Sequence, residues 1–302
     1  VKYGKNRIIF SFLVLPLTLY AIFVVSPYAQ AFSISLTSWT GFTAEKPFIG
    51  LDNFAKIFDD PVFWKALGHN ALLLLVVPLV TIVLGLFFAS MLNVGRSAGK
   101  VGGVRGAGFY GRVFFLPHIL PIVITAVLWK FLYNPQIGLL NGTLEALGLE
   151  SLTRSWLGDP NVALWAIVAV MIWAGVGFYV LLFSAAMQSI PREIYEAAEL
   201  DGAGRFQTLW RITLPLLRET VQVAWVYLGI HALDAFALVM VMTPGGGPDN
   251  STSVLAEYLY RSAFTDGRFG YATAIGVTLC LLSLALALIT FRTSGKKSAI
   301  EY

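Results

Sequence analysis

Apolar and polar positions alternate along this chain in long blocks. Six blocks, at about 8–29, 71–94, 113–131, 162–187, 220–242 and 270–291, are apolar enough to cross a hydrocarbon core. Such a core is about 30 Å thick and takes about 20 helical residues. The pattern predicts an all-α integral membrane protein of six transmembrane helices forming one domain over residues 1–302. Pro78, Pro117 and Pro121 fall inside blocks, where each is expected to kink its helix.

One polar stretch, 188–219, stands apart between the fourth and fifth blocks. Arg192 and Glu196 are four apart, which sets opposite charges side by side on a helix. Pro191 suits a first helical turn, and Gly202 and Gly204 suit a helix end. Phe206, Leu209, Trp210 and Thr213 then recur at helical spacing, and Pro215 suits the first turn of the next span. The expectation is two short helices joined at a glycine bend just outside the membrane.

Composition supports the membrane reading. Hydrophobic residues make up 57% of the 302 and charged residues 13%, against about 45–50% and 25% in soluble proteins. The single Cys280 excludes a disulfide framework and a cysteine metal site. Lysine and arginine gather on one side of the six-span topology. Lys2, Lys5, Arg7, Arg96, Lys100, Arg105, Arg112, Arg192, Arg205, Arg211, Arg218, Arg292, Lys296 and Lys297 lie there, against Lys46, Lys56, Lys65, Lys130, Arg154, Arg261 and Arg268 opposite. Positive charge favours the cytoplasm, so both termini and the 188–219 loop are expected to be cytoplasmic. Lys2, Lys5 and Arg7 before an apolar run, with Ala29-Gln30-Ala31 after it, also fit a signal peptide, but the run is long for one. An uncleaved span is expected.

Within the polar loop, Glu196-Ala197-Ala198, Gly202 and Ile212-Thr213-Leu214-Pro215 resemble the EAA signature of binding-protein-dependent ABC importer permeases. Tyr133-Asn134-Pro135, Gly138-Leu139-Leu140-Asn141, Trp156-Leu157-Gly158-Asp159, Trp173 and the loop 243–252 resemble the sugar, maltose-type branch. The likeness runs from Pro16 to the last span. It implies a type I importer permease fold in a bacterial inner membrane, and a coupling role for Arg192, Glu193, Glu196, Ala197, Ala198, Asp201, Gly202 and Arg205. It further implies a homologous second permease, two nucleotide-binding ATPase subunits and an extracytoplasmic sugar-binding protein as partners. No cofactor is expected on this chain, because ATP and Mg belong to the ATPase subunits. Membrane lipid is a further partner, and no nucleic acid is expected. The implied mechanism is alternating access through a path of which this subunit forms half, for a di- or oligosaccharide.

Other motifs carry less. Gly95-Arg96-Ser97-Ala98-Gly99 matches a nucleophile elbow but lacks the strand before and helix after that such an elbow needs. Gly99-Lys100-Val101 is one residue short of a phosphate loop and lacks its Ser or Thr. Ionisable groups inside spans are costly unless paired or hydrated. His231 and Asp234, three apart in the fifth block, either line a watery path or form a buried structural pair. With Tyr227, and more weakly Trp173 and Tyr179, they are the substrate-path candidates. His118, between two prolines, reads as a packing residue. Should His231 and Asp234 relay protons, the chain would instead be a proton-coupled secondary transporter. The outer side offers aromatic residues, Trp39 among them, which suit interfacial anchoring. It also offers the glycine-rich loop with Gly245, Gly246, Gly247 and Asn250. Trp39 and that loop are the candidates for docking a binding protein.

Overall fold

A computed structural model describes residues 2–93 and 107–294. The described residues are helical apart from turns and one isolated bridge, Thr37 with Phe48. In chain order the α-helices are α1 (Lys2–Tyr20), α2 (Ser26–Ser35), α3 (Asp52–Phe58), α4 (Pro61–Asn93), α5 (Ala107–Ile119), α6 (Ile122–Leu132), α7 (Leu139–Ala146), α8 (Ala163–Ser189), α9 (Arg192–Leu200), α10 (Arg205–Thr208), α11 (Leu214–Leu216), α12 (Arg218–Leu233), α13 (Phe236–Met242), α14 (Leu255–Tyr260) and α15 (Phe269–Ser294). The motif at 95–99, Lys100, and the charges at 96, 105, 296 and 297 lie outside the described residues.

Packing divides the chain into two compact units, Val1–Trp64 with Tyr258–Leu284 and Lys65–Glu257 with Ala285–Tyr302. In the first, a π-helical turn at Ala21–Val25 joins α1 to α2 without a break in the helical path. The buried Asn53 amide then donates to the carbonyls of Ser35 and Thr37, both at 2.8 Å, and holds α3 under the end of α2. In the second, Leu73, Val77, Ile167, Val170, Phe183, Leu228, Val239 and Met242 build one apolar core from α4, α8, α12 and α13.

The outward faces are as apolar as the core. On α4 the exposed Leu75, Leu79, Val83 and Phe87 recur every four residues, opposite the buried Leu73 and Val77. A soluble helix puts charge on that stripe. Here lipid or another apolar partner must cover it.

Among the described residues, three helices are long and apolar enough to span alone: Phe12–Ser35, Pro61–Asn93 and Ala163–Ser189. The expected 8–29 falls inside the helical run from Lys2 to Ser35, and the second helix starts ten residues before the expected 71. The third block is not one kinked helix. It breaks by 95° between Phe109–Ile119 and Ile122–Leu132. Pro121 cannot donate a helical hydrogen bond and its ring drives Leu120 out of the helical region, so α6 restarts with Pro121 as its N-cap. The fifth block bends by 44° between Arg218–Leu233 and Phe236–Met242, with no proline at the bend. Its start also differs from expectation. Pro215 falls inside the short α11, and α12 opens only after Leu217 leaves helical geometry. The sixth is apolar over Phe269–Ala285.

Candidate functional site

The polar loop folds as two arms around a glycine. Pro191 is the N-cap of α9, with φ −53° and ψ 138°, so it precedes the helix rather than opening its first turn. At the other end the amide of Ala203 bonds the carbonyl of Ala198 at 2.9 Å, and that of Gly202 bonds Glu199 at 3.0 Å. These are the two hydrogen bonds of a Schellman motif, which needs a left-handed residue at its turn. Gly202 supplies it with φ +76°. No atom lies near enough to meet a side chain there, so the glycine serves the backbone and not packing.

Arg192 and Glu196 pair with each other at 2.8 Å, and both side chains are about half exposed. Such a pair contributes about 0.3–0.5 kcal/mol. Glu193, Ala197 and Asp201 are exposed, whereas Ala198 and Thr213 are buried. The Arg205 side chain lies outside the described residues. Two features are not legible in the sequence. Leu200, Phe206 and Trp210 are strongly exposed, making the loop surface apolar as well as charged. The hydroxyl of half-buried Tyr195 lies 3.4 Å from that of buried Thr213, so it reaches from α9 to the second arm. Burial pushes the Tyr195 phenol up, against the opposing Thr213 contact.

The path candidates separate. Tyr227, His231 and Asp234 are all exposed on one side of α12, and the rings of Tyr227 and His231 meet edge to face at 4.6 Å. No ion pair joins His231 to Asp234 among the described residues. Asp234 is also not within a helix. It caps α12 with φ −97° and ψ 42°, at the 44° bend. Trp173 is partly exposed and packs edge to face on Trp129 at 5.3 Å. Tyr179 is a correction. Only 2% of it is accessible, it packs against Phe178 and Phe183, and it faces the core rather than a path. His118 stacks on Phe178 at 5.0 Å with Nδ1 3.3 Å from the Ala174 carbonyl.

The docking candidates belong to different units. Trp39 donates through its indole to the Thr43 carbonyl at 2.8 Å, under the Lys46 ammonium at 4.2 Å. The glycine-rich loop is built rather than slack. Gly245, Gly246 and Gly247 all have positive φ, as do Asp249 and Asn250. Thr252 bonds Thr243 side chain to side chain at 2.7 Å, and its amide bonds the Gly246 carbonyl at 2.9 Å. Gly246 and Thr252 are buried, whereas Gly245 is exposed.

The first unit holds a cleft of about 580 Å³ lined by Trp39, Lys56, Asp60, Tyr258, Arg268 and Tyr271 among others. Asp60 accepts from the hydroxyls of Tyr258 and Tyr271 and from the amides of Val62 and Phe63. Burial pushes its carboxyl up, but these four donors outweigh burial and the net shift is downward. Arg268 pairs with Asp266 at 2.6 Å and lies over the Tyr271 ring. No cluster of three metal-ligating His, Cys, Asp or Glu side chains occurs among the described residues.

Long apolar helices, outward apolar faces and a polar two-arm loop define a multi-span membrane permease. The chain belongs to the family of binding-protein-dependent transport system inner membrane components, whose pattern matches residues 82–293. It is 47% identical over 294 residues to a diacetylchitobiose uptake system permease protein of Streptomyces coelicolor, covering 96% of this chain and 83% of that one. It is 32% identical over 289 residues to a trehalose/maltose transport system permease protein of Thermococcus litoralis, covering 96% and 94%. Its fold matches a crystal structure of a bacterial ABC transporter involved in the import of alginate, with TM-score 0.82 and 25% identity over 99% of this chain and 98% of that one. The chain is thus a non-catalytic permease subunit of an ABC importer with the type I permease fold. The proton-coupled alternative loses its footing, since that family is driven through a partner rather than by a relay within the chain.

Proposed function

We propose that this chain forms half of the translocation path of an ATP-driven importer for a di- or oligosaccharide. The observation that carries the substrate class is the 47% identity, over nearly the whole chain, to a permease named for diacetylchitobiose uptake. A second permease supplies the other wall, and two ATPase subunits bind ATP and Mg. An extracytoplasmic binding protein delivers the sugar. A related alginate transporter, 25% identical with TM-score 0.80, was solved with a pentasaccharide-bound periplasmic protein, which supports that partner.

In this reading residues 1–302 act as one six-span domain in a bacterial inner membrane, with both termini and the 188–219 loop cytoplasmic. The loop meets an ATPase through Arg192, Glu193, Glu196, Ala197, Ala198, Asp201, Gly202 and Arg205. ATP-driven closure of the ATPase pair favours one state of the spans, because the loop binds the open and closed pairs differently. Tyr227, His231 and Asp234 line the path, with Trp173 at its edge. A sugar hydroxyl leaving water must find a partner, and these side chains offer hydrogen-bonding groups beside aromatic faces. Trp39 and the loop around Gly245 and Asn250 receive the binding protein.

The test is uptake by the reconstituted complex with labelled diacetylchitobiose or maltose, first with ATP alone and then with a proton gradient alone. Uptake with ATP of at least one of the two is expected. Uptake on the gradient alone would overturn the reading. In parallel, a photo-cross-linker at Asn250 should capture the binding protein when sugar is present.

A further inference from the structure

Helix α12 ends at Leu233, and the last carbonyls of a helix have no partner within it. The amide of Asp234 takes the carbonyl of Ile230 at 3.1 Å. The carbonyl of Leu233 is reached instead by a side chain from far along the chain, the Nδ2 of Asn70 on α4, at 3.4 Å. The same amide group turns its Oδ1 to the backbone amide of Leu255, at the start of α14, at 2.8 Å. Asn70 is 1% exposed. A buried amide in a span is costly unless both its ends are used, and here both are.

Two neighbours on α4 hold the backbone between these points. The Nδ1–H of His69 donates to the Ser253 carbonyl at 2.8 Å, and the Lys65 ammonium to the Asp249 carbonyl at 2.6 Å. Residues 65 and 69 are four apart and so share one helix face. Their two acceptors flank Asn250, in the loop whose Asp249 and Asn250 have left-handed backbones. One helix end therefore grips the bend of the fifth span and the outer loop together.

We propose that Asn70 is a positioning residue of the transport path. It fixes the bend at Asp234 to the segment 243–255, and Lys65 and His69 hold the loop half of the same bracket. A push on the outer loop is then delivered through α4 to the place where Asp234 faces the path. This rests on the reading of Asp234 as a path residue and of 243–252 as a docking surface. It assigns Asn70 the bend, and assigns Lys65 and His69 the loop.

The test uses the full complex in lipid nanodiscs. Cys280→Ser removes the native thiol, and Val223→Cys, exposed on α12, with Ala237→Cys, partly exposed on α13, carry spin labels across the bend. Without sugar, the parent should give one narrow distance. Asn70→Asp keeps an acceptor for Leu255 but cannot donate to Leu233, so a second, broader distance population should emerge. ATP turnover stimulated by binding protein loaded with diacetylchitobiose should fall at least fivefold, at an unchanged half-saturating concentration of that protein. Lys65→Met and His69→Gln should do the reverse, raising the half-saturating concentration at least threefold and leaving the distance narrow. If Asn70→Asp does not assemble, Asn70→Ser, which reaches neither partner and adds no charge, is measured in its place. An unchanged distance in the Asn70 variant, or unchanged turnover with a sugar that stimulates the parent, overturns the bracket. The distance arm contains no sugar, so it decides even where failed uptake has already overturned the substrate reading.

Discussion

Tyr258 donates its phenolic hydrogen to Oδ2 of Asp60, a residue 198 positions earlier, and Tyr271 donates to the same oxygen. The other oxygen of Asp60 caps the first turn of α4 through the amides of Val62 and Phe63, at 2.8 and 3.3 Å. Within the first unit, one carboxylate thus joins Tyr258, Tyr271 and the first turn of α4, and a neutral carboxyl could not accept all four bonds equally well.

That tie should depend on pH. The Asp60 carboxyl is held below its ordinary 3.8, so the folded state binds its proton less readily than the unfolded chain. Its contribution is complete above the ordinary carboxylate range and is lost as pH falls through the folded value. The nearby Lys56, Asp59 and Arg268 line the same cleft, so the Asp60 part must be isolated by difference. Asp60→Asn should lower the melting temperature of the complex at pH 7, and the gap from wild type should narrow as pH drops below the ordinary carboxylate range. A gap constant with pH would show that charge on Asp60 is immaterial.

Gly202 carries the clearest backbone requirement. At φ +76° a β-branched residue costs about 1–2 kcal/mol, and the Schellman bonds to Ala198 and Glu199 then compete with that strain. Gly202→Ala should reduce sugar-stimulated ATPase moderately and Gly202→Val severely, with the complex still assembling. Since open space surrounds the position, a deficit confined to bulky residues and absent in alanine would point to steric exclusion by a partner rather than to backbone strain.

The sequence was most legible where one residue type dictates one backbone state. Gly202 as a helix end and the apolar blocks follow from local chemistry, whereas the kink expected at Pro121 is a 95° break between two helices. Its limits lie in tertiary hydrogen bonds. The bend at Asp234 has no proline or glycine to announce it, because its freed carbonyl is met by Asn70 from another helix. The loop at 243–252 reads as slack from its glycines, yet their positive φ values let it fold back on itself. Tyr179 looked like a path residue because its phenol is polar, but periodicity alone could not say which face of the uniformly apolar α8 is buried. The early start of α4 went unread because Pro61 at its first turn and the Asp60 cap lie in a stretch that is polar and aromatic, not apolar.

Tyr195 and Thr213 join the two arms of the cytoplasmic loop. In the proposed coupling role, this contact would carry movement of α9 past the Gly202 bend toward the fifth span. Tyr195→Phe removes one hydroxyl and little volume. It should leave basal ATPase intact and lower sugar transported per ATP about two- to fivefold, the effect of losing about 0.5–1 kcal/mol. Thr213→Val should match it, and the double variant should be no worse than either. Additive losses would mean that the two hydroxyls act separately.

Gly246 offers a test of the outer loop. A Cβ there would run into the Ser253 hydroxyl and approach the Glu257 carboxylate, at a position already requiring φ +83°. Gly246→Ala should therefore disturb the loop, whereas Gly245→Ala, with open space around it, pays only for its backbone. Both should assemble. Half-saturation by binding protein should rise more for Gly246→Ala, and equal effects would remove packing from the explanation.

Asp234 offers the sharpest test of the proposed path. Its carboxylate is exposed and pairs with no cation among the described residues, so removing its charge orphans no described partner. Two environments remain, water with passing sugar, or the wall of the second permease. Asp234→Asn keeps the shape and one acceptor but loses the charge. If the residue meets sugar, the variant complex should assemble with unchanged thermal stability while transport falls or the preference between disaccharides shifts. If it meets a cation on the second permease, breaking that buried pair costs about 3–5 kcal/mol, and the two permeases should no longer co-purify. Tyr227→Phe and His231→Gln, on the same exposed face, should follow Asp234 in sugar preference but not in assembly, since neither carries a fixed charge. Normal assembly, normal uptake and an unchanged sugar preference in all three variants would move the path to another face of the molecule.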